Sequence, residues 1–371
     1  MCWVVRDKHG SQSVARKNPI THFNRRRVLA ADIGGTNSRF ALFEGKAEEK
    51  AMPVQTSLSL VRKVTFPTQQ SHSASELIRT LAASRGDDGG RFMPDCEEGR
   101  PVFAVLAVPG PASMADPTSP PPSDTVCHCP NIPWRIAQVE VSEALGGMPV
   151  RLINDFVAQG FAAALQPGLL DAAPVLPGIA REGFPTAIIG AGTGLGHCVV
   201  LPGAIATVMG AEAGHCQFPF EGKAERDYAR FLAEGRGTNR LTNEMVVSGS
   251  GLVFLYSYLT GEKLHTHEAP AKSALHPVVL EWIARFYGRV CRHYTLNTLS
   301  LGGIYITGGL AANLPKLIEH PVFAEELHKE PAMARMLEGI PVWHIRNQDA
   351  GLVGAAAYAS LALDQNIRLR E

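Results

Sequence analysis

The stretch VLAADIGGTNSRFALFE, from Val28 to Glu44, decides the fold of this chain. It places a carboxylate, Asp32, at the end of a short apolar run, and two glycines, a threonine and an asparagine precede a second apolar run. Glycine exposes backbone N–H groups because it has no Cβ and tolerates positive φ, and such groups hold phosphate oxygens. The stretch therefore predicts a strand, a phosphate-binding turn and a second strand.

The length and composition of the chain limit the classes of function. At 371 residues, with 45% apolar residues, the chain exceeds what one hydrophobic core usually holds, so we expect two domains. The 35 basic and 35 acidic side chains give a formal net charge of zero. Because no net field attracts nucleic acid or an anionic membrane surface, we expect neither partner and favour small-molecule chemistry.

Cysteine usage and apolar runs indicate the compartment. The seven cysteines are an odd number scattered over a long chain without a secretory h-region, which is typical of reduced thiols. No run of 18 or more apolar residues is present, so we expect no membrane span. Together these observations predict a cytoplasmic protein.

The first 27 residues differ in composition from the rest of the chain. They are rich in arginine and lysine, contain one acidic residue and show no hydrophobic period. An organelle transit peptide would carry this excess of basic residues, but it would also show a stronger amphipathic pattern. We therefore expect residues 1–27 to form a basic disordered extension outside the fold.

The pattern after this extension is that of an α/β protein. Short apolar runs that end at glycines alternate with segments of helical spacing, and this alternation predicts layered sheets with covering helices. Strands are predicted in VLAADIGG, VTFP, PVFAVLAVPG, RLIN, TAIIGAG and GGIYITGG, and helices in ASELIRTLAAS, DFVAQGFAAALQ, HPVVLEWIARFYGRVCRHYTLNTLS and DAGLVGAAAYASLAL. The proline-rich segment 111–134 has no period and predicts a long loop.

Two further glycine turns follow strand ends later in the chain. Gly192, Thr193 and Gly194 come after TAIIGA, and Gly308 and Gly309 come after GGIYIT. One such turn is usually structural, but three at successive strand ends favour a nucleotide site. Their spacing matches neither the Gly-Lys-Ser/Thr phosphate loop nor the dinucleotide fingerprint, which disfavours P-loop ATPases and Rossmann dehydrogenases.

Polar residues at strand ends and beside glycines are candidates for metal binding, substrate binding and catalysis. Asp32 would hold Mg²⁺, directly or through water, because magnesium is usually bound by one or two carboxylates and substrate phosphates. Asn154 and Asp155 stand where a strand opens a helix, so Asp155 is either the base on a substrate hydroxyl or a helix cap. Glu212 and His215, beside glycines, are either polyol ligands or a surface charge pair.

Eight motifs in register resemble the bacterial-type glucokinases of the actin-like, sugar kinase and Hsp70-like ATPase superfamily. They are spread over Val28 to Leu363 and read DIGGTNSRFAL, PNIPW, INDF, GAGTGLG, GAEAGHCQF, ERD, NEMVVSGSGLVFLY and GGIYITGGL. The resemblance implies an α/β, two-domain actin-like ATPase (ribonuclease H-like) fold with a cleft between a smaller and a larger α/β domain. We expect the small domain at residues 28–160, completed by a C-terminal helix at 350–371, and the large domain at 161–349.

The resemblance also implies an activity and a set of site residues. ATP would phosphorylate D-glucose to glucose 6-phosphate, with Mg²⁺ as cofactor and Asp155 as the base on the 6-hydroxyl, in a homodimer. The nucleotide would be held by Asp32, Gly34, Gly35, Thr36, Asn37, Gly192, Thr193, Gly194, Gly308 and Gly309, and the sugar by Asn131, Asn154, Asp155, Glu212, His215 and Glu244. Two alternatives stay open: a kinase of the same fold for another hexose or N-acetylhexosamine, and a non-catalytic sugar-sensing protein.

Several residues depart from the family pattern or lie outside it. Ala213 stands where the family usually has glycine, and the SGSG segment 248–251 stands where a proline often separates the glycines. We therefore expect activity to survive with an altered sugar affinity. The CHC motif at 127–129 lacks the spacing of a structural zinc site. We further expect His197 to be a satisfied histidine at a strand end and Trp134 to be a packing anchor.

Overall fold

The computed structural model describes residues 26–47, 56–86, 89–94, 99–110, 125–129 and 131–368. Residues 1–25 of the expected basic extension and residues 111–124 of the expected long loop lie outside the described residues. Within the described part, the chain forms two large sheets and one two-stranded sheet.

The elements of the described residues are as follows. The strands are β1 (Arg26–Ile33), β2 (Asn37–Ala47), β3 (Thr56–Pro67), β4 (Phe103–Val108), β5 (Val126–Cys127), β6 (Ile136–Ala137), β7 (Val150–Asn154), β8 (Ala172–Leu176), β9 (Thr186–Ala191), β10 (Leu195–Leu201), β11 (Thr207–Ala211), β12 (Gly303–Thr307) and β13 (Val342–Ile345). The α-helices are α1 (Ala74–Ala83), α2 (Gln138–Ala144), α3 (Asp155–Leu165), α4 (Gly222–Arg236), α5 (Asn243–Val246), α6 (Gly249–Thr260), α7 (Ala269–Ser273), α8 (Pro277–Thr298), α9 (Gly309–Asn313), α10 (Lys316–Glu319), α11 (Pro321–His328), α12 (Ala334–Leu337) and α13 (Ala350–Arg368).

The first sheet has the strand order β3–β2–β1–β4–β7 among the described residues. Strands β1, β2 and β3 pair antiparallel, whereas β1, β4 and β7 pair parallel. Parallel neighbours need crossover connections, and the apolar faces of α1 and α2 cover one face of this sheet. The alternation of apolar strands and amphipathic helices in the sequence is thus confirmed for this half of the chain.

The second sheet repeats this arrangement and has the order β11–β10–β9–β12–β13–β8. Strands β9, β10 and β11 pair antiparallel, β9, β12 and β13 pair parallel, and β8 adds an antiparallel edge. Helix α8 packs on the outer face of this sheet. The helix predicted for this segment is confirmed, and its helical spacing puts five apolar residues on one stripe. All five are buried in one core: Val279, Ile283, Phe286, Val290 and Tyr294.

Helices α3 and α13 lie between the two sheets and share one buried core with both. Gly354 of α13 lets the two helices approach closely, because a Cβ there would collide with the carbonyl oxygen of Ala158 in α3. The ring of Phe156 lies over Gly190 and Gly196 of the second sheet, where any Cβ would meet it. The start of α3 is therefore anchored to the second sheet while β7, which leads into it, belongs to the first.

Two elements extend past the expected domain boundaries, and the division into domains stays a prediction. Strand β1 begins at Arg26, two residues inside the expected extension. Arg27 explains the difference, because its guanidinium pairs with Glu44 at 3.5 Å and donates to the Gly99 carbonyl at 3.1 Å. Helix α3 continues to Leu165, beyond the expected end of the small domain at residue 160. In the part of the chain that the structure describes, no helix combines the length and the apolar character needed to cross a membrane.

Candidate active site

The parallel strands β1, β4 and β7 of the first sheet all end at one edge, and the ends of β1 and β7 carry candidate site residues. Asp32 lies near the end of β1, and the first glycine turn follows this strand. Gly110 lies just after β4, and Asn154 and Asp155 join β7 to α3. Ligands of α/β proteins bind outside the carboxyl ends of parallel strands. The fold therefore brings the predicted metal ligand and the predicted base to one edge.

The first glycine turn, residues 34–36, is held by a threonine that sequence reasoning missed. The Thr68 hydroxyl donates to the Gly34 carbonyl at 2.6 Å, and its backbone N–H donates to the Thr36 carbonyl at 2.9 Å. A Cβ on Gly35 would lie 2.7 Å from the Cβ of Asn131. The predicted nucleotide turn and the predicted sugar residue Asn131 are thus in contact, and the contact requires glycine.

Asp32 is partly shielded by one cation. The Arg39 guanidinium donates to Asp32 Oδ2 at 3.1 Å, and no other hydrogen bond to this carboxylate occurs among the described residues. Burial raises the pKa of Asp32 above its usual value, Arg39 opposes this, and the negative charge of Asp349 adds to it. A Cβ on Gly351 would lie 3.2 Å from the Asp32 carboxylate, so the first turn of α13 closes over it.

Asp155 opens α3 at the end of β7. Its Oδ1 accepts the backbone N–H of Phe156 at 2.9 Å. Burial, together with the negative charges of Asp32 and Glu212, raises the pKa of Asp155 to about 7 against the opposing effect of the Phe156 N–H. A carboxylate with a pKa near neutrality is suited to accept and release a proton.

Asn154 is the N-cap of α3, whereas the sequence left open that Asp155 is the cap. Its Oδ1 accepts the N–H groups of Phe156 at 2.9 Å and Val157 at 3.2 Å, and its Nδ2 donates to the Gly110 carbonyl at 3.0 Å. These three bonds tie the end of β4 to the start of α3. They fix the direction of the neighbouring Asp155, while a role of Asn154 in sugar binding stays a prediction.

The second and third glycine turns adjoin each other in the second sheet. Gly192 donates to the Gly194 carbonyl at 2.8 Å, and a Cβ on Gly192 would meet only the backbone nitrogen of Gly309, at 3.8 Å. Gly308 has a φ of +90°, and a Cβ there would lie 2.5 Å from the Ala191 carbonyl oxygen. The structure brings these turns together, and Gly308 can hardly be replaced.

Glu244 lies against the second glycine turn. Its Oε2 accepts the N–H of Leu195 at 3.0 Å, and a Cβ on Gly194 would lie 2.5 Å from that oxygen. The adjacent Asn243 donates to the Ala213 carbonyl at 2.9 Å. Helix α5 thus connects the second nucleotide turn with the predicted sugar segment, and the role of Glu244 as a sugar ligand stays a prediction.

The sugar segment carries Glu212 and His215 on its surface. Both side chains are exposed. The Glu212 carboxylate and the His215 ring nitrogen lie 3.6 Å apart, as the charge-pair alternative predicts. Because both side chains face solvent, both remain accessible to a ligand. Ala213 is not among the residues with positive φ, so its methyl group causes no backbone strain. Gly214 cannot carry a Cβ, which would collide with the Leu195 carbonyl oxygen.

Hydrogen bonds hold the SGSG segment in the absence of a proline. The Ser248 hydroxyl caps α6 by accepting the Gly251 N–H at 3.2 Å. The Ser250 hydroxyl accepts from the Arg236 guanidinium at 2.8 Å. These side-chain bonds restrict the turn in place of the proline that the family often has there.

The residues present fit a nucleotide with a divalent cation. Thr36, Asn37 and Thr193 are exposed at the two glycine turns, and the face of Gly192 is open. Among the described residues, no three His, Cys, Asp or Glu side chains are grouped to hold a metal ion. A cation at Asp32 would therefore need further ligands from phosphate or water, as is usual for Mg²⁺.

Two expectations about single residues have different outcomes. His197 is buried with its ring centroid 4.7 Å from that of Tyr294, and neither of its ring nitrogens has a hydrogen-bond partner among the described residues. The expectation of a satisfied histidine is therefore wrong, because no hydrogen bond of normal geometry forms with the described residues. Burial lowers the pKa of His197 to about 4, against a smaller opposing effect of the Leu195 backbone. Trp134 is confirmed as a packing anchor, since it packs on the outer core of the first sheet and donates to the Ser71 carbonyl at 2.7 Å.

Arg39 and Thr68 are the two site residues that sequence reasoning missed. Arg39 lies directly opposite Asp32 in the antiparallel pairing of β1 and β2, so a hairpin register centred on the glycine turn could have revealed the pair. Thr68 offered no such signal, because it reaches the turn from beyond β3.

Comparisons with known proteins agree with this architecture. A protein-family model described as Glucokinase matches residues 29–362. The glucokinase of Nostoc punctiforme is 30% identical over an alignment of 366 positions. The alignment covers 90% of this chain and 98% of that protein.

Solved structures share the fold at low identity. The glucokinase of Balamuthia mandrillaris in complex with glucose is 20% identical, with a TM-score of 0.69 over 91% of this chain and 94% of that one. A ROK family glucokinase from Streptomyces griseus in complex with glucose and AMPPNP is 18% identical, with a TM-score of 0.56 over 89% and 98% of the two chains. These similarities confirm the expected actin-like ATPase fold.

Proposed function

The chain belongs to the glucokinase family, and on that premise we propose that it transfers the γ-phosphoryl group of ATP to the 6-hydroxyl of D-glucose. One observation carries the proposal. Burial raises the pKa of Asp155 most, and the negative charges of Asp32, from the predicted nucleotide site, and of Glu212, from the predicted sugar site, add to it. The proposed base therefore lies within electrostatic reach of both predicted sites.

Asp155 would act as the general base. The sugar 6-hydroxyl would bond the γ-phosphorus while its proton passes to the Asp155 carboxylate and the bond to the departing ADP oxygen breaks. A pKa of about 7 leaves much of Asp155 ionised near neutral pH and gives it useful basicity. The Phe156 N–H and the Asn154 cap restrict the carboxylate to one direction, which favours a productive approach.

The glycine turns would position the nucleotide. The backbone N–H groups of the first and second turns, with the Thr36 and Thr193 hydroxyls, would donate to phosphate oxygens, and the Gly308–Gly309 turn would face the adenosine side. Mg²⁺ bound at Asp32 would neutralise phosphate charge. The S. griseus complex with AMPPNP supports an adenine nucleotide as the donor.

The remaining parts of the proposal rest on family resemblance. We propose that the sugar is lined by Asn131, Asn154, Glu212, His215 and Glu244, that the domains divide at residues 160 and 349, and that the protein is a cytoplasmic homodimer. A kinase for another hexose or N-acetylhexosamine is the second candidate, because Ala213 replaces a glycine in the sugar segment.

A substrate panel tests the proposal. ADP release with Mg²⁺ and ATP would be measured on glucose, mannose, fructose, N-acetylglucosamine and N-acetylmannosamine, with Asp155→Ala as the matched inactive variant. Selective turnover of glucose, lost in the variant while calorimetry still detects glucose binding, is the expected result. Preference for another sugar supports the second candidate, and glucose binding without turnover in the native protein supports a sensing protein.

A further inference from the structure

A pair of cysteines lies beside the predicted base and is not used by the proposed reaction. Cys127 and Cys129 are both buried free thiols, and their sulfur atoms are 3.4 Å apart. The Cys127 thiol also donates to the Pro109 carbonyl at 3.3 Å. Since a disulfide has a sulfur–sulfur length of about 2.05 Å, the two sulfurs need to approach by only about 1.4 Å to form one.

The pair is linked to the segment that carries Asn154 and Asp155. Pro109, which holds Cys127, precedes Gly110, which holds the Asn154 cap. The negative charge of Asp155 opposes ionisation of both thiols, although more weakly than their mutual hydrogen bond affects their pKa values, so the pair lies near the predicted base. A bond between these cysteines would therefore form within the active-site region.

A backbone hydrogen bond of Cys129 also holds the segment that carries Asn131. The Cys129 carbonyl accepts the Ile132 N–H at 3.2 Å, which closes a short turn around Asn131. Asn131 in turn touches Gly35 of the first glycine turn. Moving Cys129 toward Cys127 would therefore displace Asn131.

The two thiols differ in acidity. The hydrogen bond from Cys129 lowers the pKa of Cys127, against the effects of burial and of Asp155. The same bond raises the pKa of Cys129 far above its usual value, and burial adds to this. Because the thiolate is the nucleophile, the directions of these shifts favour Cys127 as the group that attacks first, and the 3.4 Å contact between the sulfurs puts Cys129 in place to resolve.

We propose that Cys127 and Cys129 are a modification site that a peroxide converts reversibly into an intrachain disulfide, and that this bond lowers sugar affinity by displacing Asn131. The second half rests on the proposed function. The Cys127 sulfur takes one peroxide oxygen as the O–O bond breaks, giving a sulfenic acid and water. The Cys129 sulfur then displaces the hydroxyl group as a second water, so two thiols and one hydrogen peroxide become one disulfide and two waters.

A small oxidant is required because both thiols are buried. Cys216 is exposed beside His215 and would react independently. The experiment therefore uses the full chain with Cys2, Cys96 and Cys216 replaced by serine, which leaves the pair and the buried Cys198 and Cys291. Hydrogen peroxide is added, remaining thiols are alkylated under denaturing conditions, and intact mass and peptide maps are recorded before and after dithiothreitol.

The expected product lacks two hydrogen atoms and two alkylatable thiols, at Cys127 and Cys129, and dithiothreitol restores both. In Cys129→Ser the reaction should stop at a sulfenic acid on Cys127 that dimedone traps, and Cys127→Ser should form no such adduct. Absence of the disulfide in the folded protein, or dimedone trapping at Cys129 in the Cys127→Ser variant, would overturn the assignment.

The effect on affinity is measured separately. Oxidation should raise the sugar KM about tenfold, as one misplaced hydrogen-bonding residue would, with a smaller change in kcat and with recovery in reductant. A disulfide that forms without changing KM supports the modification site and overturns the displacement of Asn131. A disulfide in a protein that phosphorylates no sugar supports the site and refutes the proposed function.

Discussion

Replacing Asp155 by asparagine should stabilise the folded protein at alkaline pH. The pKa of Asp155 is about 7 in the folded protein, against 3.8 for an aspartate exposed to water. Between these values the folded state binds more protons than the unfolded state, so Asp155 costs increasing stability as the pH rises, and the cost is constant above about pH 7. A difference of about three in pKa corresponds to at most about 4 kcal/mol of folding free energy. Because the Asp155 residue is only partly buried, solvent screening reduces this cost to about 2 kcal/mol.

Asparagine is the suitable replacement because its side-chain oxygen can still accept the Phe156 N–H. Thermal unfolding of the two ligand-free proteins should give equal melting temperatures near pH 4. The variant should melt several degrees higher at pH 8.5, since about 1 kcal/mol moves the melting temperature by about 2 °C or somewhat less in a chain of this length. Asp227→Asn is the control: Lys223 and Arg230 lower the pKa of Asp227, so that variant should lose stability at neutral pH and no longer at low pH.

The same variant tests catalysis. If Asp155 must be ionised to accept the hydroxyl proton, kcat/KM of the native protein should rise with pH through about 7. Asp155→Asn should lose about 10³-fold in kcat while it still binds sugar. An Asp155→Asn protein that melts at or below the native temperature at pH 8.5 would refute the electrostatic reasoning, and one that turns over at the native rate would refute the catalytic role.

Three other substitutions probe the scaffold. Gly308→Ala, at a φ of +90° and against the Ala191 carbonyl, should cost more than about 1 kcal/mol and raise the KM for ATP, as melting and initial-rate kinetics would show. Arg289→Ala removes the cation that pairs with the buried Glu225 and leaves the buried Glu326 carboxylate with Arg292 as its nearest cation, so denaturant unfolding should show a loss of about 3 kcal/mol. Trp134→Phe removes the bond to the Ser71 carbonyl and should cost about 1 kcal/mol in the same assay.

The sequence was sufficient for the features that depend on local pattern. Apolar runs ending at glycines predicted β1, β4, β9 and β12, because a strand buried on both faces leaves a continuous apolar run and its turn leaves glycines. The apolar stripe of α8 followed from a different pattern, the helical spacing of its apolar residues. The proximity of the second and third glycine turns is a structural finding: β9 and β12 pair in parallel, and parallel strands end at the same edge.

Features that depend on long-range contacts were not predictable from the sequence. Arg289 lies on α8 beside the apolar stripe, and its carboxylate partners, Glu225 and Glu326, come from two distant segments. The unsatisfied nitrogens of His197 depend on what packs against the strand from α8. Thr68 reaches the first glycine turn only because β3 folds back along β2. In each case the sequence gives the residue type, but spacing along the chain does not tell which residue it contacts in the fold.

The charges around Asp155 are costly for folding, and this cost itself indicates function. Burial and two like charges, Asp32 and Glu212, oppose ionisation of Asp155, while Arg39 pairs with Asp32 and not with the base. An asparagine at residue 155 could keep the bond to the Phe156 N–H without the repulsion. Local arrangements that reduce stability without a structural gain are expected at functional sites, where a carboxylate must be ionisable near neutral pH and open to a ligand. The negative charge that the fold leaves uncompensated at this edge is charge that a divalent cation would neutralise.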